Sequence, residues 1–104
     1  MVKEISVHEL KKRIDEKNIV LIDVRERHEL EVCKIGCSID IRMDKIQDNI
    51  GQLDKKIEYA IICHSGVRSF NVAFFLINKG FLAYNVTGGI DSWAIEVDTM
   101  MKRY

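Results

Sequence analysis

Apolar and polar positions follow two rhythms along this chain. Ile19-Val20-Leu21-Ile22-Asp23-Val24 is a continuous β-prone run, the pattern of a strand covered on both faces. Glu58 to Cys63 has the same character, and Leu82 to Val86 is a further strand. Ile5 is assigned to a short first strand and Ser38 to Ile41 to a third. Between these runs the spacing turns helical. Val7, Leu10 and Ile14 share one helical face. They follow Ser6-Val7-His8-Glu9, a capping-box pattern in which Ser6 and Glu9 satisfy backbone donors reciprocally. Glu26 to Val32 suits a short helix, and Met43 to Leu53 carries Ile46, Ile50 and Leu53 at helical spacing. Ser69 to Lys79 is apolar nearly all round, which predicts a largely buried helix with Phe70, Phe74 and Ile77 in the core. Gly80 sits where a helix C-terminal glycine belongs. Gly88-Gly89 reads as a turn and Ile90 to Met101 as a last helix. Strands alternating with helices predict an α/β domain with a mainly parallel sheet. Sites in such sheets form beyond the carboxyl ends of the strands.

The length, 104 residues, suits one domain with a real core. Sixteen basic and sixteen acidic residues cancel, so charge gives no reason to expect nucleic acid or an anionic membrane as partner. The longest apolar run, Val72 to Ile77, is too short to span a bilayer. Met-Val-Lys-Glu-Ile lacks the apolar stretch of a signal peptide, and a cytoplasmic location is the expectation. Three cysteines are an odd number for a disulfide framework, and Cys33, Cys37 and Cys63 match no zinc pattern. Reduced thiols and no metal or cofactor follow as expectations.

Chemistry concentrates in Cys63-His64-Ser65-Gly66-Val67-Arg68. This segment joins a predicted strand to a predicted helix. Backbone N–H groups converge at such a joint, and the positive end of the helix dipole favours an anion there. The same field favours thiolate over thiol, lowering a cysteine pKa from its usual ~8.5. Arg68 adds a permanent charge with forked donors suited to oxyanions. Gly66 permits backbone geometry that a side chain would obstruct. The segment reads as a nucleophilic sulfur in an anion cradle built from His64, Ser65, Gly66, Val67, Arg68 and Ser69.

With these residues in view, the chain resembles the rhodanese family of sulfurtransferases. Val20-Leu21-Ile22-Asp23-Val24-Arg25-Glu26 resembles the family's first signature. Cys63-His64-Ser65-Gly66-Val67-Arg68-Ser69 resembles its active-site loop, and Gly80-Phe81, Val86-Thr87-Gly88-Gly89-Ile90 and Trp93 its C-terminal signature. The resemblance implies a five-stranded parallel sheet flanked by helices and a sulfane sulfur carried as a cysteine persulfide on Cys63. It further implies a sulfur-donor anion such as thiosulfate or glutathione persulfide, with a thiol, cyanide or a protein as acceptor. Arg68 would bind the donor's oxygens, and His64 and Ser65 would line the mouth. Two departures stand out: Cys37 falls where the family usually has glycine, and Arg42 where it usually has proline. They bear on the shape of the loop after the third strand and on substrate preference rather than on the fold. Phosphatases of related design use Cys-x5-Arg, a ring wide enough for phosphate. Here four residues intervene between Cys63 and Arg68, which suits a sulfur-sized anion.

Other residues admit plainer readings. Asp23 and Arg25 fit either the edge of the pocket or an internal ion-paired brace, and the brace is the favoured reading. Glu26 starts a helix, where negative charge is favourable. Cys33 and Cys37 read as small packed thiols, since nothing nearby activates them, with a resolving or regulatory role as the alternative. His8 and His28 read as surface residues, Trp93 as core, and Lys11-Lys12-Arg13 as a solvated helix face. A persulfide carrier serving a partner protein would use the same residues as an enzyme and differ in its turnover of small donors.

Overall fold

A computed structural model describes residues 1–104. Strands β1 (Lys3–Ile5), β2 (Val20–Asp23), β3 (Ile39–Asp40), β4 (Glu58–Ile62) and β5 (Leu82–Val86) form one sheet. Its order is β1-β5-β4-β2-β3, and every neighbouring pair is parallel. Helices α1 (Val7–Asp15), α2 (Arg27–Val32), α3 (Ile46–Asn49), α4 (Val67–Asn78) and α5 (Gly89–Glu96) flank it. The α/β class is therefore as the residue pattern predicts, and the five-stranded parallel sheet as the family resemblance implies. No helix is long and apolar enough to cross a membrane.

Strand side chains alternate between faces with a period of two, and the core divides accordingly. Leu21, Ala60, Ile62 and Val86 pack with Val7 and Leu10 of α1 and with Ile90 and Trp93 of α5. Ile22, Tyr59, Ile61 and Ala83 pack on the other face with Ile46 of α3 and Val72, Ala73 and Leu76 of α4. Cys63, one residue beyond β4, continues the second series and so turns toward α4.

Several local expectations change. Helix α4 starts at Val67, two residues before the predicted start, and packs only one side onto the sheet. Phe70 and Phe74 are not core: they are 41% and 52% exposed, and Ile77 is half-buried. A helix that is apolar all round carries no phase, so its pattern does not say which stripe faces inward. Met43 to Leu53 is not one helix but three short pieces, with α3 between 3-10 turns at Met43–Lys45 and Ile50–Gln52. The last helix stops at Glu96. Only half of the first capping box forms, with Glu9 N donating to Ser6 Oγ at 3.0 Å. Arg13 leaves the solvated face and pairs with Glu58 at 2.7 Å. Cys37 is exposed rather than packed, and Cys33 is half-buried. Arg42 has φ −53°, within the range a proline ring imposes, so losing the proline leaves that backbone angle in place.

Candidate active site

Strand β4 delivers Cys63 to the carboxyl edge of the sheet, and α4 begins four residues later. Gly66 turns the chain between them with φ +110°, a conformation L side chains rarely adopt. A Cβ there would meet only ordinary contacts of 3.5 Å or more, so its dihedral, not crowding, is what favours glycine. The turn aims backbone donors at the sulfur: Gly66 N donates to Cys63 Sγ at 3.1 Å and Ser69 N at 3.4 Å. Ser69 Oγ lies 3.2 Å from the same sulfur. Burial, the largest single influence, pushes the Cys63 pKa up. The N–H groups of Ser69, Gly66 and Ser65 oppose it, and the net shift is downward.

The cradle is anchored from the neighbouring strand and helix. Asn85 of β5 donates through Nδ2 to Gly66 O at 3.1 Å and to Glu4 Oε1 at 3.0 Å, and Ser69 Oγ donates to Asn85 Oδ1 at 2.5 Å. At the start of α5, Ile90 N donates to Cys63 O at 2.8 Å and Asp91 N to His64 O at 3.1 Å. Gly89, with φ +61°, lets α5 approach so closely. A Cβ at that position would lie 2.5 Å from both the Cys63 and His64 carbonyl oxygens.

Arg68 and Glu29 form a two-pronged pair: Nη1 donates to Oε1 at 2.7 Å and Nη2 to Oε2 at 2.8 Å. Glu29 is 7% exposed. Its carboxyl pKa is drawn down to about 2, first by the Arg68 hydrogen bonds and further by Tyr104 and the Glu26 N–H, against the effect of burial. Tyr104 donates to Glu29 Oε2 at 2.7 Å, accepts from Arg25 Nη1 at 3.1 Å and stacks on His64 with ring centroids 4.1 Å apart. Arg25 is fully buried and matched by Asp23, with Nη2 to Oδ2 at 2.8 Å and Nε to Oδ1 at 3.0 Å. Arg25 Nη2 also donates to Cys33 O at 2.8 Å. Asp23 and Arg25 make no hydrogen bond to Cys63. They brace the α2 side of the loop through Cys33 and Tyr104.

Of the residues expected around Cys63, Gly66 and Ser69 meet the sulfur, the Arg68 guanidinium turns to Glu29, His64 stacks on Tyr104, Val67 is exposed, and Asp23 and Arg25 lie one layer behind. Glu4, Glu29, Asn85 and Tyr104 join the site without having been singled out from the sequence. Asn85 carried a usable signal, as the one amide inside an otherwise apolar strand. Glu29 and Tyr104 carried none, because their partners lie 39 and 75 residues away. No group of three or more His, Cys, Asp or Glu side chains is placed to hold a metal ion.

The chain has relatives among known proteins. The model of the rhodanese-like domain matches residues 6–96. The putative sulfurtransferase YtwF of Bacillus subtilis (strain 168) is 43% identical over 93 residues, spanning 88% of this chain and 90% of that protein. The thiosulfate sulfurtransferase GlpE of Coxiella burnetii is 31% identical over 94 residues, covering 89% of this chain and 88% of that protein. The crystal structure of a rhodanese-like domain protein from Staphylococcus aureus superposes with a TM-score of 0.86 at 35% identity, covering 99% of both chains. These relatives support sulfur transfer of the rhodanese type. A matched model over most of the length, and a relative sharing 43% of aligned residues, establish that this chain belongs to the rhodanese-like domain family.

Proposed function

We propose that this chain moves a sulfane sulfur from a donor to a nucleophilic acceptor through a persulfide on Cys63. The observation that carries the reading is the pair of backbone N–H groups, from Gly66 and Ser69, aimed at one buried sulfur, with the thiol pKa drawn down despite burial. The Cys63 thiolate attacks the outer sulfur of thiosulfate, or the terminal sulfur of a persulfide such as glutathione persulfide. A new S–S bond forms on Cys63, the donor's S–S bond breaks, and sulfite or a thiolate leaves. The terminal sulfur then sits where the N–H groups of residues 64 to 69 converge at the start of α4. A thiol, cyanide or a protein acceptor attacks that sulfur and releases the Cys63 thiolate, closing a ping-pong cycle. Asp23 and Arg25 support the loop without touching the reacting atoms. Three free cysteines fit a reducing, cytoplasmic setting.

The carrier reading shares this chemistry. Val67, directly after the Gly66 turn, is 70% exposed and would meet a protein partner at the lip of the loop. Intact mass after brief exposure of the reduced protein to thiosulfate or to a persulfide tests both readings. The expected result is a gain of one sulfur in wild type, absent from Cys63→Ser and removed by cyanide. Loading with negligible thiocyanate turnover would identify a carrier. Loading that persists in folded Cys63→Ser refutes the assignment.

A further inference from the structure

The side-chain charges around the loop do not favour a dianion. Arg68 has both Nη groups on the Glu29 carboxylate at 2.7 and 2.8 Å, so its charge is compensated at contact distance. Arg25 is buried against Asp23. Arg103 is paired with Asp91 at 2.9 Å. Beside the loop runs a groove of about 370 Å³ whose walls include Glu4, Ser65, Val67, Phe70, Asn71 and Thr87. Glu4 is the only charged group lining it. Arg27, Arg42 and Lys45 line a separate groove that includes none of residues 63–69. Attraction for an anion at Cys63 therefore comes chiefly from backbone N–H groups and the α4 terminus, although Lys102, which forms no ion pair, lines a crevice with His64 on the other side of the loop. The backbone donors act at hydrogen-bond range on the transferred sulfur and do not draw a charged donor from a distance. The exposed parts of Val67 and Phe70 on the groove wall suit an apolar carrier.

We infer that Glu29 is a specificity-determining residue that neutralises Arg68, and that the donor suited to this site is a persulfide on a carrier of low charge rather than thiosulfate. This rests on the Cys63 persulfide reading and adds to it the donor class. The step balances as follows. The Cys63 thiolate bonds to the terminal sulfur of R–S–SH, the donor's S–S bond breaks, and RS⁻ leaves with the electron pair. Cys63 then carries –S–SH, with no external oxidant or reductant. Thiosulfate would bring two negative charges into a setting where Arg68, Arg25 and Arg103 are already matched by carboxylates, and would expel sulfite as a dianion.

The test compares second-order rates of sulfur loading from thiosulfate and from hydroxyethyl persulfide, read by intact mass. Wild type is expected to favour the persulfide. Glu29→Gln retains the size of the side chain and one oxygen for Arg68 but removes the compensating charge. It is expected to raise the thiosulfate rate about fivefold to tenfold relative to the persulfide rate, by exposing one unit charge near the loop. Adding Arg68→Gln to that variant is expected to abolish the gain, which a merely structural role for Glu29 would not produce. A second readout needs no variant. With Glu29 compensating Arg68, the wild-type thiosulfate rate stays flat or rises as ionic strength goes from about 0.01 M to about 1 M, where the Debye length falls from about 30 Å to about 3 Å. A steep fall with salt overturns the inference, as does a wild-type preference for thiosulfate, an unchanged donor ratio in folded Glu29→Gln, or a gain that survives the loss of Arg68. No loading of folded wild type by either donor refutes the persulfide reading itself, a different outcome from loading with the wrong preference.

Discussion

Replacing Gly89 by alanine attacks the site through its backbone. The new Cβ would lie 2.5 Å from the Cys63 and His64 oxygens and 2.6 Å from the His64 carbonyl carbon. All three atoms belong to main chain, so no side-chain rotation relieves the overlap. Forcing an L residue to φ +61° costs about 1–2 kcal/mol, and overpacking of this kind about 1–3 kcal/mol more. The sum, about 2–5 kcal/mol, is a large part of the ~5–15 kcal/mol that holds a typical domain folded. Relief by separation would stretch the 2.8 Å bond from Ile90 N to Cys63 O and the 3.1 Å bond from Asp91 N to His64 O. The loop would shift with its carbonyls, and the N–H groups of Gly66 and Ser69 would lose their aim at the sulfur. Gly36→Ala is the matched control: nothing lies within 4 Å of its Cβ position, and its φ is not positive. Urea unfolding should show a fall of about 2–5 kcal/mol for Gly89→Ala with unchanged m, and a change within about 1 kcal/mol for Gly36→Ala. Sulfur loading of the folded Gly89 variant should drop, while the control loads like wild type. A Gly89 variant within 1 kcal/mol of wild type, loading normally, refutes the argument that close α5 approach holds the loop.

Other expectations follow from single interactions. The Glu29 pKa is depressed from 4.5 to about 2 in the folded protein, so its stabilisation is fully present above about pH 4.5 and lost as pH falls toward 2. That is worth about 3 kcal/mol at neutral pH, and the stability gap between wild type and Glu29→Gln should close over this window; a gap constant from pH 7 to 2.5 counts against it. Asp23→Ala leaves the fully buried Arg25 without its carboxylate and should cost about 3–5 kcal/mol in urea unfolding; a loss under 1 kcal/mol would mean that Arg25 finds another partner. Ser69→Ala breaks the bond to Asn85 that anchors the cradle, so the N–H groups of Gly66 and Ser69 should lose their aim at Cys63 and the pH profile of iodoacetamide alkylation should move upward; an unmoved or lowered profile means that these donors hold their aim without it.

Continuous β-prone runs at β2 and β4 were readable because a parallel strand covered on both faces needs no alternation. The cysteine loop was readable because its chemistry is local: a strand end, a glycine with positive φ and a helix start lie within a few residues. What the sequence hid was phase and partnership. Helix α4 is apolar on every side, so nothing marked Val72 and Leu76 as inward and Phe70 and Phe74 as outward. Arg68 displayed its charge but not the Glu29 carboxylate opposite it, since that pairing exists only after α2 and α4 meet across the strand ends. Asp23 and Arg25 carried the hint of an ion pair because their side chains bond within two residues of each other.

Strand β1 adds to the sheet against β5, with Lys3 opposite Tyr84 and Ile5 opposite Val86. Glu4 reaches Asn85 across the same junction, and Arg25 and Glu29 reach Tyr104. The surroundings of Cys63 are therefore completed by pairings between residues about 75 to 80 positions apart, which form slowly because a long loop must close first. A chain still emerging from synthesis holds Cys63 before it holds Asn85 and Tyr104. Its thiol then has the reactivity of any exposed cysteine, and it gains its sulfur-handling character at the end of folding rather than along the way.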